Sequence, residues 1–200
     1  MSDIAIIGAG DIGATLARRF AAAGHAVTFG ARDPSGATVR ALAEEIGATV
    51  RPMHDAVTAA AVVVVAIPGA AIPALVAELG PALANRVVID ATNDMGGPVF
   101  HHLDEFASRA PDALVYRAFN TLGWENFADP RPGSDLLYCG PDRPEERALV
   151  EGLITDIGLG PVYVGGLDQA DLLDAMTRLW FALAITQGHG RRTAFRVLRD

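Results

Sequence analysis

The stretch Ile4-Ala5-Ile6-Ile7-Gly8-Ala9-Gly10-Asp11-Ile12-Gly13 decides the fold. Four apolar residues make a short buried strand, glycines follow at once, and Ala14, Leu16, Ala17, Phe20 and Ala21 form the apolar part of a helix. A Gly-x-Gly-x-x-Gly pattern means little alone, but between a strand and a helix it has a mechanism. Gly8 allows a tight turn, Gly10 lets the backbone approach a pyrophosphate, and Gly13 lets helix and strand pack closely. Phosphates would then sit on free amides at the positive end of the helix dipole. The second strand, Val27-Thr28-Phe29-Gly30, leads into Ala31 and Arg32, where an NAD-binding chain places an acidic residue on the ribose hydroxyls. A carboxylate there repels a 2′-phosphate, whereas a guanidinium binds it through two parallel hydrogen bonds. The stretch predicts NADP(H) binding.

Composition narrows the rest. Two hundred residues suit one domain with a sizeable core, or one domain and a short appendage. Twenty-four acidic residues outweigh sixteen basic ones, so the charge offers no footprint for nucleic acid. Every basic residue is arginine, which excludes a P-loop lysine, a Schiff-base lysine and a lysine general base. Cys139, the sole cysteine, follows Leu136, Leu137 and Tyr138 and is expected to be buried and inert. Met1-Ser2-Asp3 runs directly into the first strand with no signal peptide. The uncharged run 56–77 contains β-branched Val62–Val65 and is interrupted by Pro68-Gly69 and Pro73, which fits buried strand, loop and helix better than a membrane span. These features predict a cytoplasmic protein with neither membrane nor nucleic-acid partner.

Strands and helices alternate, so the fold class is α/β: a doubly wound, mainly parallel Rossmann sheet over residues 1–165, with a C-terminal helical appendage over 166–200. Further strands are expected at Thr49–Arg51, Val62–Ile67, Val87–Ile89, Leu114–Phe119, Leu136–Cys139 and Val162–Val164. Helices are expected at Thr38–Ile46, Asp55–Ala60, Ile72–Leu79, Val99–Ala107 and Pro144–Ile157. A long helix from Leu167 to about Thr186 and a last short helix after Gly188 and Gly190 complete the pattern. The long helix is apolar on several faces, with Leu172, Leu173, Met176, Leu179, Trp180, Phe181, Leu183 and Ile185. Such a surface predicts a homodimer contact, with Trp180 and Ile185 among its residues.

Ligands in this class of sheet lie beyond the carboxyl ends of the strands, at the switch in strand order. Ile67-Pro68 closes the fourth strand there, with Ile67 placed to pack on a nicotinamide. Asn93 and Asn120 offer neutral hydrogen-bonding groups at the ends of the fifth and sixth strands, or they cap their loops. Titratable candidates are few. His54 precedes Asp55 at a helix start, His25 lies at the wrong end of the sheet, His101 and His102 sit on an expected helix, and nothing fixes His189. No metal-ligand spacing and no Gly-x-Ser-x-Gly elbow is present. The pattern therefore names no catalytic residue and no metal; it describes a site that holds two reactants against each other.

With Gly8–Gly13, Gly24-His25, Gly30-Ala31-Arg32, Ala66-Ile67-Pro68, Asp90-Ala91-Thr92-Asn93, Ala118–Gly123 and Leu167–Ala170 in place, the whole chain resembles the NADPH:coenzyme F420 oxidoreductases, in their bacterial branch. The resemblance implies that Gly8, Ala9, Gly10, Asp11, Ile12, Gly13, Ala31 and Arg32 hold NADP and that Ile67 and Pro68 line the nicotinamide. It implies that Asn120, Thr121 and Leu122 face a deazaflavin, coenzyme F420, as the small-molecule acceptor, and that the chain is a homodimer. The sequence departs from the family's pattern at Ala31, at Asp11, and at Asn120 and Gly69. Transfer to a flavin or a small imine, or a catalytically silent NADP(H) sensor, stays open beside that reading.

Overall fold

A computed structural model describes residues 1–198. Six parallel strands, β1 (Asp3–Ile7), β2 (Ala26–Ala31), β3 (Thr49–Pro52), β4 (Val62–Val65), β5 (Val87–Asp90) and β6 (Leu114–Arg117), pair in the order β3-β2-β1-β4-β5-β6. Alternate residues feed two cores. Ile4, Ile6, Val62, Val64, Val87 and Ile89 face one layer of helices, and Ala5, Ile7, Val63, Val65 and Val88 face the other. Burial on both faces is why these strands read as unbroken apolar runs rather than alternating ones.

The first layer of helices includes α1 (Asp11–Ala22) and α2 (Ala37–Ile46); the other includes α3 (Met53–Ala59), α4 (Ile72–Leu79) and α5 (Leu103–Arg109). Gly47 ends α2 with φ +69°, the left-handed stop expected there. The register aligns Ile7 with both Gly30 and Val65, Val65 with Asp90, and Asp90 with Arg117. The loops that leave these strands therefore share one edge. β1 lies between β2 and β4, and its outgoing turn marks the switch in strand order.

Four expectations need correction. His101 and His102 are not on a helix: α5 starts at Leu103, and His102 stands at its N-terminal boundary. Pro98 and the bond from Asp94 N–H to Phe100 C=O (2.8 Å) hold the preceding segment as a loop. The strands at 136–139 and 162–164 do not extend the main sheet. β7 (Asp135–Tyr138) and β8 (Gly160–Tyr163), joined through α7 (Pro144–Asp156) after the short α6 (Glu125–Ala128), form their own parallel pair. Its backbone joins β6 through an antiparallel Arg117–Cys139 bridge.

The long C-terminal helix is compound. A 3-10 turn at Leu167–Gln169 leads into α8 (Ala170–Phe181), which relaxes into a π-turn at Ala182–Thr186. No helix follows among the described residues; Phe195 instead bridges Asp135. The last two residues of the expected 166–200 segment lie outside the described residues. Finally, Trp180 is buried against its own subunit, and its indole N–H donates to Thr193 C=O at 2.8 Å. It is core and presents no surface to a second copy.

Candidate active site

Each motif glycine has a separate physical reason. Gly8 adopts φ +114°, and a Cβ there would meet Ala66 O at 2.3 Å. A Cβ on Gly13 would lie 2.0 Å from Gly8 O, so only glycine lets α1 start this close to β1. Around Gly10 nothing lies within 4 Å of the missing Cβ, which leaves open space beside the backbone. No side chain caps the N-terminus of α1, so its first amides face that space unpaired by a cap. These features fit a pyrophosphate, and a Cβ on Gly10 would occupy the space it needs. Ala9 and Ile12 are half-buried in this turn, and Asp11 is exposed in the first turn of α1.

Cavities flank the turn on both sides. One of about 430 Å³ is lined by Gly8, Ala9, Gly30, Ala31, Arg32, Val39, Met53, Ile67 and Pro68, among others. The other, about 250 Å³, is lined by Gly10, Asp11, Ile12, Ala66, Ile67, Pro68, Ala91, Asn93 and Phe119. Ile67 and Pro68 border both, so the two form a groove across the switch point. Arg32 is exposed, and no side chain among the described residues pairs with it. Beside it Asp33 accepts bonds from Ser35 Oγ (2.5 Å) and Ser35 N–H (2.9 Å), which hold its carboxyl below the usual range. Ser35 is thereby engaged within its own turn.

Behind the second cavity lies a buried ion triad that sequence reading did not identify. Arg117 Nη1 donates to Asp90 Oδ2 (2.9 Å) and Thr92 C=O (3.0 Å). Its Nη2 donates to Asp174 Oδ1 (2.7 Å) and Asn93 Oδ1 (3.0 Å). Asn93 Nδ2 in turn donates to Asn120 C=O at 2.8 Å, and Thr177 Oγ1 donates to the same carbonyl at 3.2 Å. Arg117 and Asp90 are fully buried and Asp174 is 1% exposed. Asn93 therefore reaches the cavity with its amide already oriented by the triad. Its oxygen is held by Arg117, and one N–H remains for a ligand.

Asn120, Thr121 and Leu122 are all buried, and Phe119, not Asn120, supplies this part of the cavity wall. The three thus form no open acceptor surface in this subunit. Asn120 Oδ1 and Nδ2 are buried without a partner, which is unusual for a side-chain amide. Phe119 carries φ +62°, a conformation uncommon for an aromatic residue, beside this orphaned amide.

The histidines fall elsewhere. His54 is exposed, 3.7 Å from Asp55. His25 Nδ1 accepts from Ser2 N–H and its Nε2 meets Asp156, at the far end of the sheet. His102 Nε2 lies 2.9 Å from Asp94 and holds that carboxyl below its usual range. His189 lines a separate cavity with Arg131, Ser134, Arg192 and Arg196. The fold also gathers His101, Asp171 and Asp174 within 4.8 Å, a grouping that no sequence spacing announces. Both Asp174 oxygens, however, are taken by Arg117 and Phe100 N–H.

A Rossmann sheet with a glycine turn on its switch point and an arginine beyond β2 defines a dinucleotide-binding oxidoreductase fold. Residues 3–94 match the family described as NADP oxidoreductase coenzyme F420-dependent. The F420-dependent NADP reductase of Methanothermobacter thermautotrophicus is 29% identical over 206 residues, covering 91% of this chain and 89% of that protein. The crystal structure of a proposed F420-dependent NADP-reductase from Arthrobacter sp. FB24 superposes with TM-score 0.85 at 26% identity, with full coverage of both chains. The rat metalloreductase STEAP3 is 28% identical over 86% of this chain, which spans 36% of that protein's length. The chain is thus similar to F420-dependent NADP oxidoreductases, and the match to that family spans 92 of its 200 residues.

Proposed function

We propose that the protein transfers hydride between NADP(H) and a planar acceptor, with coenzyme F420 as that acceptor. The observation that carries this reading is the apolar cavity between Ile67-Pro68 and Phe119, beside the open face of Gly10. In this reading Gly8–Gly13 hold the pyrophosphate, Arg32 beside Ala31 takes the 2′-phosphate, and Ile67, Pro68 and Asn93 surround the nicotinamide. When bound, NADPH supplies the hydride. The chain supplies binding, alignment and exclusion of water, and needs no proton-transfer residue. Asn120, Thr121 and Leu122 frame the acceptor end from behind Phe119, and the unpartnered Asn120 amide is the hydrogen-bonding capacity left there.

The same reading makes residues 1–165 the cofactor-binding unit and 166–200 the segment that joins two copies. Leu172 (55% exposed), Met176, Leu179 (46%) and Leu183 recur at helical spacing along one face of α8 and its extension. Ile185 adds a further exposed apolar side chain at 49%. A homodimer would cover this stripe. No helix among the described residues is long and apolar enough to cross a membrane, in keeping with the cytoplasmic location that we propose.

A second reading has one observation in its favour: the metalloreductase relative is about as similar as the F420-dependent one, at 28% against 29% identity. Under it the hydride goes to an acceptor other than F420, with a flavin the alternative that the sequence left open. Anaerobic NADPH oxidation with F420, FMN and FAD in parallel decides between them. Turnover with F420 alone supports the first reading; turnover with FMN or FAD but not F420 overturns it.

A further inference from the structure

The two ends of the groove carry opposite charge. Arg32 stands at one end. At the other, Asp11 is the one charged side chain among the described residues that line the 250 Å³ cavity. Directly behind Asn93 stands the Asp90–Arg117–Asp174 triad, whose two carboxylates and one guanidinium sum formally to one negative charge. Asp90 Oδ1 accepts from Thr92 N–H and Oγ1, and its Oδ2 from Arg117. Asp174 Oδ1 accepts from Arg117 and its Oδ2 from Phe100 N–H. All four carboxyl oxygens are engaged as acceptors. The next titratable pair along the loop, Asp94 with His102, adds no excess positive charge. The triad is shut off from solvent, so salt screens it little.

We propose that this negative end is a redox bias: Asp11 and the triad hold the oxidised cofactor more tightly than the reduced one, and so favour hydride leaving NADPH. The inference rests on the reading above, in which the nicotinamide end occupies the cavity of Ile67 and Phe119. Hydride transfer moves one proton nucleus and two electrons to the acceptor and leaves a nicotinamide ring with one positive charge. Fixed carboxylates attract that charge and are indifferent to the neutral reduced ring. The phosphates are the same in both forms, so any repulsion of them by Asp11 cancels in the ratio of the two affinities. Asp11 thus has a common effect, weaker binding of both forms, and a differential one, preference for NADP⁺. The differential effect of one exposed charge is roughly three- to tenfold.

The test is equilibrium binding of NADP⁺ and of NADPH, without acceptor, to the whole protein and to Asp11→Asn and Asp174→Asn. Asp11→Asn is expected to shift the affinity ratio toward NADPH by roughly three- to tenfold, and less at high salt. Asp174→Asn shifts it the same way with little salt dependence. If Asp174→Asn does not fold, the exposed Asp11→Asn variant decides alone. A ratio unchanged in Asp11→Asn, with both forms still bound, overturns the inference and leaves the proposed function standing. Failure of the unaltered protein to bind either form overturns both.

Discussion

Replacing Arg32 by Ala separates the two nicotinamide cofactors if the reading of the β2 end is right. Arg32 is exposed, borders the larger cavity, and pairs with no side chain among the described residues. Its removal therefore costs the free protein almost nothing, and the melting temperature should stay within a degree or two. Binding is different. A guanidinium on a phosphate makes charge-assisted hydrogen bonds worth about 1.5–3 kcal/mol. That corresponds to roughly a ten- to hundredfold loss of NADPH affinity. NADH lacks the 2′-phosphate and should bind within about twofold of the unaltered protein by the same accounting. Titration calorimetry with both cofactors, at low and moderate salt, reads the difference directly. Equal losses for NADPH and NADH would show that Arg32 acts on the turn or the pyrophosphate, and would refute the 2′-phosphate assignment. A loss for neither would move the 2′-phosphate away from β2 altogether, with the exposed Arg40 on α2 the next residue to replace.

Other variants probe different parts of the argument. Gly10→Ala should leave stability nearly unchanged and abolish cofactor binding, because the added methyl enters open space that the pyrophosphate needs; retained binding would refute that placement. Gly13→Ala should lower stability as well, by about 1–3 kcal/mol, since its Cβ would lie 2.0 Å from Gly8 O; denaturant melts of the two variants must differ. Leu179→Arg, on the exposed stripe of α8, should turn a dimer in light scattering into a monomer without loss of NADPH binding; a monomer already present in the unaltered protein would exclude the dimer. Burial pushes the Cys139 thiol up to about 12, so it stays protonated at neutral pH. Alkylation at pH about 8 should occur only after denaturation; rapid labelling of the native protein would contradict its buried place at the end of β7, bridged to Arg117.

The geometry of the glycine turn was legible because its determinants are local. Strand, turn and helix at 4–21 lie in one stretch of chain, and the steric demands on Gly8 and Gly13 come from neighbours fixed by that same turn and by Ala66. Arg32 follows directly on β2, so reading where the strand ends was enough to place it. The sheet was legible for a related reason: Val62–Val65 and Val87–Ile89 are apolar on both faces, which only a central parallel strand requires. The separate β7–β8 pair was not legible, since its strands look like any others. Where they leave the main sheet, the chain meets it through an antiparallel bridge between Arg117 and Cys139, set by contacts between distant segments.

The half of the candidate site around Asn93 and Asn120 resisted reading because its organising bonds join residues far apart in the chain. Arg117 and Asp174 are separated by 57 positions, and Arg117 and Asp90 by 27. A signal did exist: an arginine inside the apolar run Leu114–Phe119, and an aspartate on the helix between Leu173 and Met176. A charge in a buried strand must be neutralised by a partner brought to it, so those residues were asking for each other. Their union changes how the site works. Asn93 and Asn120 appeared from sequence as independent hydrogen-bonding groups, yet Asn93 Nδ2 donates to the Asn120 carbonyl and Arg117 fixes the Asn93 oxygen. Thr177 on α8 holds the same carbonyl. The helix that carries the exposed apolar stripe is thereby tied, through Asp174 and Thr177, to the loops that follow β5 and β6. The α8 segment is part of the machinery that positions these loops, so truncating the chain before it would remove Asp174 and leave Arg117 with only Asp90 as a buried counter-charge.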